Sequence, residues 1–276
     1  MNRILPDALH NLRERGSLIL SLTSAESATL AAALEAGRLF FQEPLEAKMA
    51  SALPEECGYR AFGIEYSQTA SHPDQIESFT ATARTCADRC KLCDGPARRL
   101  YDCMLDSIAV LEPLAESFVA LLAKTIGNGA GGSFPTGSLH RWSRLQLNYS
   151  RPVTADGDIH DLHEDGNLVT IACATGPGLE IQEPDGSLQG IEAILPHVIV
   201  MPGEIAWLLS GGCVRPVWHR VRRVPSCSER LALLFFADID PEACQPWLHN
   251  EVNANVDIGE RTRRSVTRFG LEGFRP

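Results

Sequence analysis

The chain has 276 residues, 44% hydrophobic and 22% charged, with 35 acidic against 25 basic side chains. That is the make-up of a globular protein able to bury a core without disulfides or structural metals. The formal net charge of −10 argues against a phosphate-backbone partner, which needs a basic face, and Arg261-Thr262-Arg263-Arg264 reads as a solvated helix face. No membrane-spanning stretch is visible, because the longest apolar runs, Ile194 to Met201 and Leu231 to Ala237, are only strand-length. The opening residues Met1 to Asp7 lack the apolar centre of a secretion signal. Nine cysteines, an odd number set mostly in apolar surroundings, read as free thiols in a reducing cytoplasm. A monomer or weak homodimer acting on a small molecule is expected, with neither nucleic acid nor membrane as partner.

In chain order, Gly16 to Leu22 is a short apolar run suited to an edge strand. Ser24 caps a helix over Ala25 to Phe41, and Pro44 ends it. Residues 54 to 80 mix Pro, Gly and Ser with aromatics and read as a long loop or irregular hairpin. A second helix is predicted over Pro96 to Ile126, where Leu100, Met104, Ile108, Leu111 and Phe118 recur near helical spacing. Gly127 to Gly137 then marks a boundary. Beyond it come short apolar runs: Leu145 to Tyr149, Leu168 to Ala174, Leu179 to Gln182, Ile194 to Met201, Ile205 to Leu209, Val217 to Val224 and Leu231 to Ala237. Turn signals such as Pro177-Gly178, Asp185-Gly186 and Pro202-Gly203 separate them. That rhythm predicts a mainly β fold, a jelly roll packed against N-terminal helices. Asp257 to Phe269 is expected to form a last helix. One domain is read, with a mostly helical half over 1–137, a β core over 138–240 and an extension over 241–276.

The chemistry begins at His163-Glu164-Asp165. A His and an Asp two apart on an extended segment point to the same face, and together offer a metal an imidazole and a carboxylate. A third ligand must come from elsewhere, and His219, 56 residues downstream in Trp218-His219-Arg220-Val221, is well placed on another predicted strand. Two His and one carboxylate leave three adjacent octahedral positions open, the arrangement of non-haem Fe(II) oxygenases. On spacing alone, a surface His beside two acids explains the pair equally simply. Arg230 opens the strand Leu231 to Phe236, where a buried guanidinium needs an anion. A carboxylate of 2-oxoglutarate would suit it, and so would a salt bridge to Glu229 or Asp238.

Residues Leu145 to Asp240 resemble the core of the isopenicillin N synthase-like family of Fe(II)/2-oxoglutarate dioxygenases. The likeness rests on Leu147-Asn148-Tyr149, on His163-Glu164-Asp165 followed by Leu168-Val169-Thr170, and on Gly178-Leu179-Glu180-Ile181. Pro202-Gly203-Glu204 and His219-Arg220-Val221 extend it. Upstream, Phe41-x-x-Pro44-x-x-x-Lys48, Gly58-Tyr59 and Glu77-x-Phe79 fit more loosely. The resemblance implies a double-stranded β-helix forming one oxygenase domain. It also implies iron on His163, Asp165 and His219, the 2-oxoglutarate tail on Arg230, Asn148 and Tyr149 near that co-substrate, and O2 as oxidant. Hydroxylation is the default outcome, with desaturation or ring closure as variants. One departure is Ala232, where the family's Arg-x-Ser has a serine; that keeps a keto-acid-independent oxidase in view. A jelly-roll binding protein without chemistry is the third reading.

Cys86-x-x-x-Cys90-x-x-Cys93 has the spacing of a radical-enzyme cluster motif, and Cys103 could complete a zinc site, yet no repeated strand–helix units follow. Free cysteines are the reading kept. His160 reads as a polar loop histidine and His197 as a surface one. His140 and Trp142 are either site-lining or packing residues.

Overall fold

Two antiparallel sheets form the frame of the computed structural model, which describes residues 12, 16–53, 57–127, 139, 142–151 and 157–265. The strands in chain order are β1 (Leu18–Ser21), β2 (Gly58–Arg60), β3 (Glu77–Ala81), β4 (Arg144–Ser150), β5 (Asp158–His163), β6 (Val169–Ala174), β7 (Leu179–Gln182), β8 (Leu188–Gly190), β9 (His197–Pro202), β10 (His219–Arg222) and β11 (Arg230–Ala237). The larger sheet runs β1-β9-β6-β11-β4-β3-β2 and the smaller β5-β10-β7-β8. The helices are α1 (Ser24–Phe41), α2 (Leu45–Met49), α3 (Ala83–Arg89), α4 (Gly95–Ile126), α5 (Glu204–Leu209) and α6 (Ile258–Ser265). None of them is long and apolar enough to cross a membrane.

Side chains alternate across a strand, so each central strand of the large sheet serves two interiors. On β4, Leu145 and Leu147 turn to α1 and α4, while Arg144, Gln146 and Asn148 turn into a cleft between the sheets. On β11, Leu231, Leu233 and Phe235 join the helical core, and Arg230, Ala232 and Leu234 line the cleft. Gly37 lets α1 lie directly on this sheet, because a Cβ there would collide with Leu147.

The predicted elements recur with instructive differences. Thr23, not Ser24, caps α1: its hydroxyl accepts from Glu26 N at 3.3 Å, and the Glu26 carboxylate accepts from Thr23 N at 2.7 Å. Pro44 does not end α1 but opens α2, where a residue lacking an N–H costs nothing. Ile205 to Leu209 is helical rather than a strand, since Gly203 breaks the β run and the following Glu-Ile-Ala-Trp-Leu-Leu winds up with its acid in the first turn. The 54–80 region does form an irregular hairpin, β2 and β3 pairing across the loop 61–76. The N-terminal half is therefore less purely helical than read, for β1, β2 and β3 extend the large sheet on both edges. The C-terminal helix covers Ile258–Ser265; residues 266–269 of the expected helix, His140 and most of Gly127 to Gly137 lie outside the described residues.

The loosely matching upstream residues converge on one buried carboxylate. Glu77 accepts from Tyr59 Oη at 2.6 Å and pairs with Lys48 and Arg151. Lys48 Nζ also donates to Phe41 O at 3.2 Å. This cluster ties α1, α2, the hairpin and the end of β4 together.

Candidate active site

His163 and His219 are direct partners across the antiparallel β5–β10 pair, their ring centroids 4.4 Å apart. Asp165 follows the end of β5, with Oδ1 3.7 Å from His163 Nε2 and 3.9 Å from His219 Nε2. Among the described residues these three form the one group of His, Cys or acid side chains able to share a metal ion, their donor atoms all within 4.8 Å of one another.

Each donor is aimed by a neighbour. His163 Nδ1 lies 2.7 Å from Asp161 O, and His219 Nδ1 3.0 Å from Val217 O. A carbonyl can only accept, so both Nδ1 atoms carry the proton and both Nε2 lone pairs face the shared space. Burial, reinforced by His219, pushes His163 down to about 4, which keeps its ring neutral near pH 7. Asp165 Oδ2 accepts from the Thr170 hydroxyl, leaving Oδ1 toward the histidines. The Asp165 loop sits on the start of α5 through Glu204 N to Asp165 O at 2.8 Å and Gly203 N to Leu168 O at 3.1 Å. A Cβ on Gly203 would collide with Asn167 O and lie 2.7 Å from Asp165 O. Gly203→Ala should therefore weaken Fe(II) binding by about 10- to 100-fold, as loss of support around a metal ligand does. A direct Fe(II) titration at unchanged helical circular dichroism checks this; unaltered affinity would mean the loop shifts freely.

Arg230 is 8% exposed and borders the same cleft. Its Nε donates to Pro177 O at 3.1 Å and Gly176 O at 3.3 Å. The salt bridges weighed from sequence do not form, since Glu229 accepts from Tyr149 Oη at 3.0 Å and Asp238 pairs with Arg144 at 3.5 Å. Among the described residues Arg230 has no carboxylate partner. Burial lowers its pKa to about 10, leaving it charged at neutral pH. The cleft encloses about 970 Å³ counting its mouth.

Of the other expected residues, Asn148 lines the cleft and Tyr149 does not. Strand alternation sends Tyr149 to the helical side, stacked on Phe41 at 5.2 Å. Trp142 is half-buried away from the cleft, and His197 is exposed. Among the described residues Cys86, Cys90 and Cys93 gather no metal-binding group, and burial pushes the Cys86 thiol well above its usual range.

His160 is not in a loop. It lies on β5 and lines the cleft, three residues before His163, a spacing that on a regular strand would put the two rings on opposite faces. A β-bulge resolves this: His163 pairs His219 while His160 pairs Val221, three steps on β5 against two on β10. His160 Nδ1 is 2.9 Å from Asp74 Oδ2, and Ser67 Oγ donates to the same carboxylate at 2.8 Å. Burial opposes both charges, yet the pairing holds His160 above and Asp74 below their ordinary values. The wall continues: Gln146 Nε2 donates to Asn148 Oδ1 at 2.8 Å and to Glu65 Oε2 at 3.0 Å. Sequence reading missed this wall, though polar residues alternating with leucine over Arg144 to Asn148 were its signal.

No protein-family model matches the sequence, and no curated protein is significantly similar to it. Solved structures are. A full-length Neurospora crassa protein, crystallised with alpha-KG and thymine, superposes with a TM-score of 0.73 at 17% identity, over 94% of this chain and 89% of that one. A putative 2OG-Fe(II) oxygenase family protein from Caulobacter crescentus gives 0.69 at 19%, over 95% and 92%. JOX2, solved with 2OG, Fe and JA, gives 0.70 at 20%, over 87% and 72%. The expected fold, a β-rich core with helical cover, is thus the fold that this chain shares with the 2-oxoglutarate- and iron-dependent oxygenases.

Proposed function

We propose that the protein is an Fe(II)- and 2-oxoglutarate-dependent dioxygenase that oxidises a small molecule by hydroxylation, desaturation or ring closure. The observation that carries this reading is the coexistence, in one cleft, of a His-Asp-His donor set with a buried guanidinium that has no described carboxylate partner. The donor set fits iron: two neutral imidazole nitrogens and one carboxylate on one side leave adjacent coordination positions for a chelating co-substrate and O2. The structures crystallised with 2-oxoglutarate or its alternative name alpha-KG, and with thymine or JA, support both the co-substrate and a small-molecule substrate.

When bound, iron and the keto acid supply the oxidising chemistry, coupling loss of CO2 and formation of succinate to attack on a substrate C–H bond. The protein's residues do the positioning. His163, Asp165 and His219 hold the metal in a fixed orientation. Arg230 takes the distal carboxylate, and Asn148 lines the cleft beside it, its oxygen engaged by Gln146 and its Nδ2 3.3 Å from His160 Nε2. Leu179, Val221 and Leu234 exclude water along the way.

Anaerobic addition of Fe(II) and then 2-oxoglutarate should raise the weak visible charge-transfer band of the chelate, and His219→Ala should abolish it. Iron binding without a band would favour the keto-acid-independent oxidase; absence of iron binding would favour a non-catalytic binding protein. Ala232 sits two residues along β11 from Arg230, on the same cleft face. Ala232→Ser should restore one hydrogen bond to the keto acid, worth about 0.5–1.5 kcal/mol, or roughly 2- to 10-fold in its half-saturating concentration. An unchanged value would show that the serine position does not reach the co-substrate.

A further inference from the structure

We infer that the protein carries a second anion site, which takes a small tetrahedral oxyanion of the phosphate kind and competes with 2-oxoglutarate for Arg230. The competition rests on the proposed keto-acid chemistry; the site does not. It is a recess where β4 and β10 end and β11 begins, enclosing about 230 Å³ counting its mouth. A water in the liquid occupies roughly 30 Å³, so several waters or one small oxyanion fit. Arg151, Arg222, Arg223 and Arg230 line the recess with the buried Ser150, and among the described residues no carboxylate does.

Four guanidiniums converging on one recess repel one another unless counter-charges lie close. The carboxylates nearby are already shared. Glu77, the partner of Arg151, also pairs with Lys48. Glu180 lies 3.9 Å from Arg222 but 2.7 Å from Arg220, which also takes Asp158 at 3.2 Å. Six cations thus meet three carboxylates around the recess, in a chain whose net charge is −10. Arg223 and Arg230 have no carboxylate partner among the described residues. The terminal nitrogens of Arg223 donate to neutral acceptors, Arg151 O at 3.1 Å and the Gln75 amide oxygen. Its Nε is buried with no hydrogen-bond partner.

A tetrahedral dianion answers both the charge and the donor directions. Its oxygens accept from several guanidiniums at once, where a flat carboxylate matches a single fork. The small recess and the chain's net charge restrict the ligand to a free ion or a small phosphomonoester rather than a polyanion. Arg230 lines both this recess and the iron cleft. An oxyanion that draws on it weakens its hold on the 2-oxoglutarate tail, and the effect is reciprocal.

Calorimetric titration of inorganic phosphate into the metal-free protein, at constant ionic strength, tests the site without reference to iron. A dissociation constant below about 1 mM is expected, weakened about tenfold or more in Arg223→Leu. No heat up to about 10 mM phosphate would overturn the site. Equal affinity in Arg223→Leu would overturn it too, by leaving the ion on Arg230 within the cleft. Should circular dichroism show that variant misfolded, Arg222→Glu decides instead, because Arg222 is exposed. The same loss of about tenfold is expected there, and unchanged affinity would overturn the site. Glycerol phosphate separates the sources: tighter binding than phosphate identifies a phosphomonoester, and equal or weaker binding the free ion. For the competition, the chelate band of the Fe(II)-loaded protein is titrated with 2-oxoglutarate, with and without sulfate, which keeps ferrous iron in solution. Ionic strength is matched with chloride. Sulfate should raise the half-saturating keto-acid concentration about fivefold or more in wild type, and not in Arg223→Leu. No rise in wild type, or an equal rise in both, would overturn the competition. A missing band would refute the keto-acid reading instead, and the phosphate titration would still decide the site.

Discussion

Glu77→Ala should lower the free energy of unfolding by about 3–5 kcal/mol, far more than its distance from the donor set suggests. Glu77 and Lys48 are each 2% exposed, and Tyr59 is 3% exposed. Removing the carboxylate strands a buried ammonium and a buried phenol at once, and leaves Arg151 without this anchor. A lone buried charge is costly because the interior replaces neither its hydration nor its partner. The cost comes from breaking the cluster, not from its absence. Lys48→Met combined with Glu77→Leu should therefore recover much of the loss, since apolar residues of similar volume replace buried ion pairs with little penalty. Urea denaturation of the single and double variants measures both numbers. A loss below about 1 kcal/mol in Glu77→Ala would show that water reaches Lys48. A double variant no better than the single one would show that the cluster is needed for the local geometry.

The grouping of His163, Asp165 and His219 was legible because its elements speak in short range: His163 and Asp165 are two apart, and His219 sits in a strand readable by its own alternation. The pairing of β5 with β10 was not legible, because β5 carries Asp158, His160, Asp161 and His163 among few apolar residues and so lacks a strand's pattern. That is why His160 looked like a loop residue, and why the bulge that turns it into the cleft had no sequence signal. Tyr149 was misplaced for the opposite reason. A single strand with both faces buried tells little about which face meets the cleft, and β4 is buried throughout. Knowing that Asn148 faces the cleft settles Tyr149 at once, because neighbours on a strand point to opposite sides. The helices were read well over α1 and α4, where long runs of apolar residues recur at helical spacing. The short α5 was read as a strand because six residues are too few to separate the two periods. Convergence on Glu77 was invisible for a further reason: Lys48, Tyr59 and Arg151 come from three separate segments, and only the packed fold brings them to one carboxylate.

Arg230→Leu should raise the half-saturating concentration of 2-oxoglutarate by about 100- to 1000-fold while leaving Fe(II) affinity unchanged. The size follows from what is lost. A guanidinium gripping a carboxylate makes two parallel charge-assisted hydrogen bonds, together worth about 3–4 kcal/mol, and each 1.4 kcal/mol is a factor of ten. Arg230 Nε is committed to Gly176 O and Pro177 O, which fixes the plane of the group and leaves its terminal nitrogens for the ligand. That orientation makes lysine a poor substitute: Arg230→Lys keeps the charge but not the fork, and should fall between wild type and leucine. At saturating keto acid the leucine variant should turn over at a rate close to wild type, because the grip is equally strong before and during the reaction. Its pH dependence has a sign as well. Burial depresses the free Arg230 to about 10, so the grip is fully present at neutral pH and lost as pH rises through that value. Titrating the chelate band against 2-oxoglutarate at several pH values reads all of these. A leucine variant with wild-type affinity would move the anion site off β11. A parallel loss of Fe(II) binding would instead show that Arg230 supports the fold around His219 rather than the co-substrate.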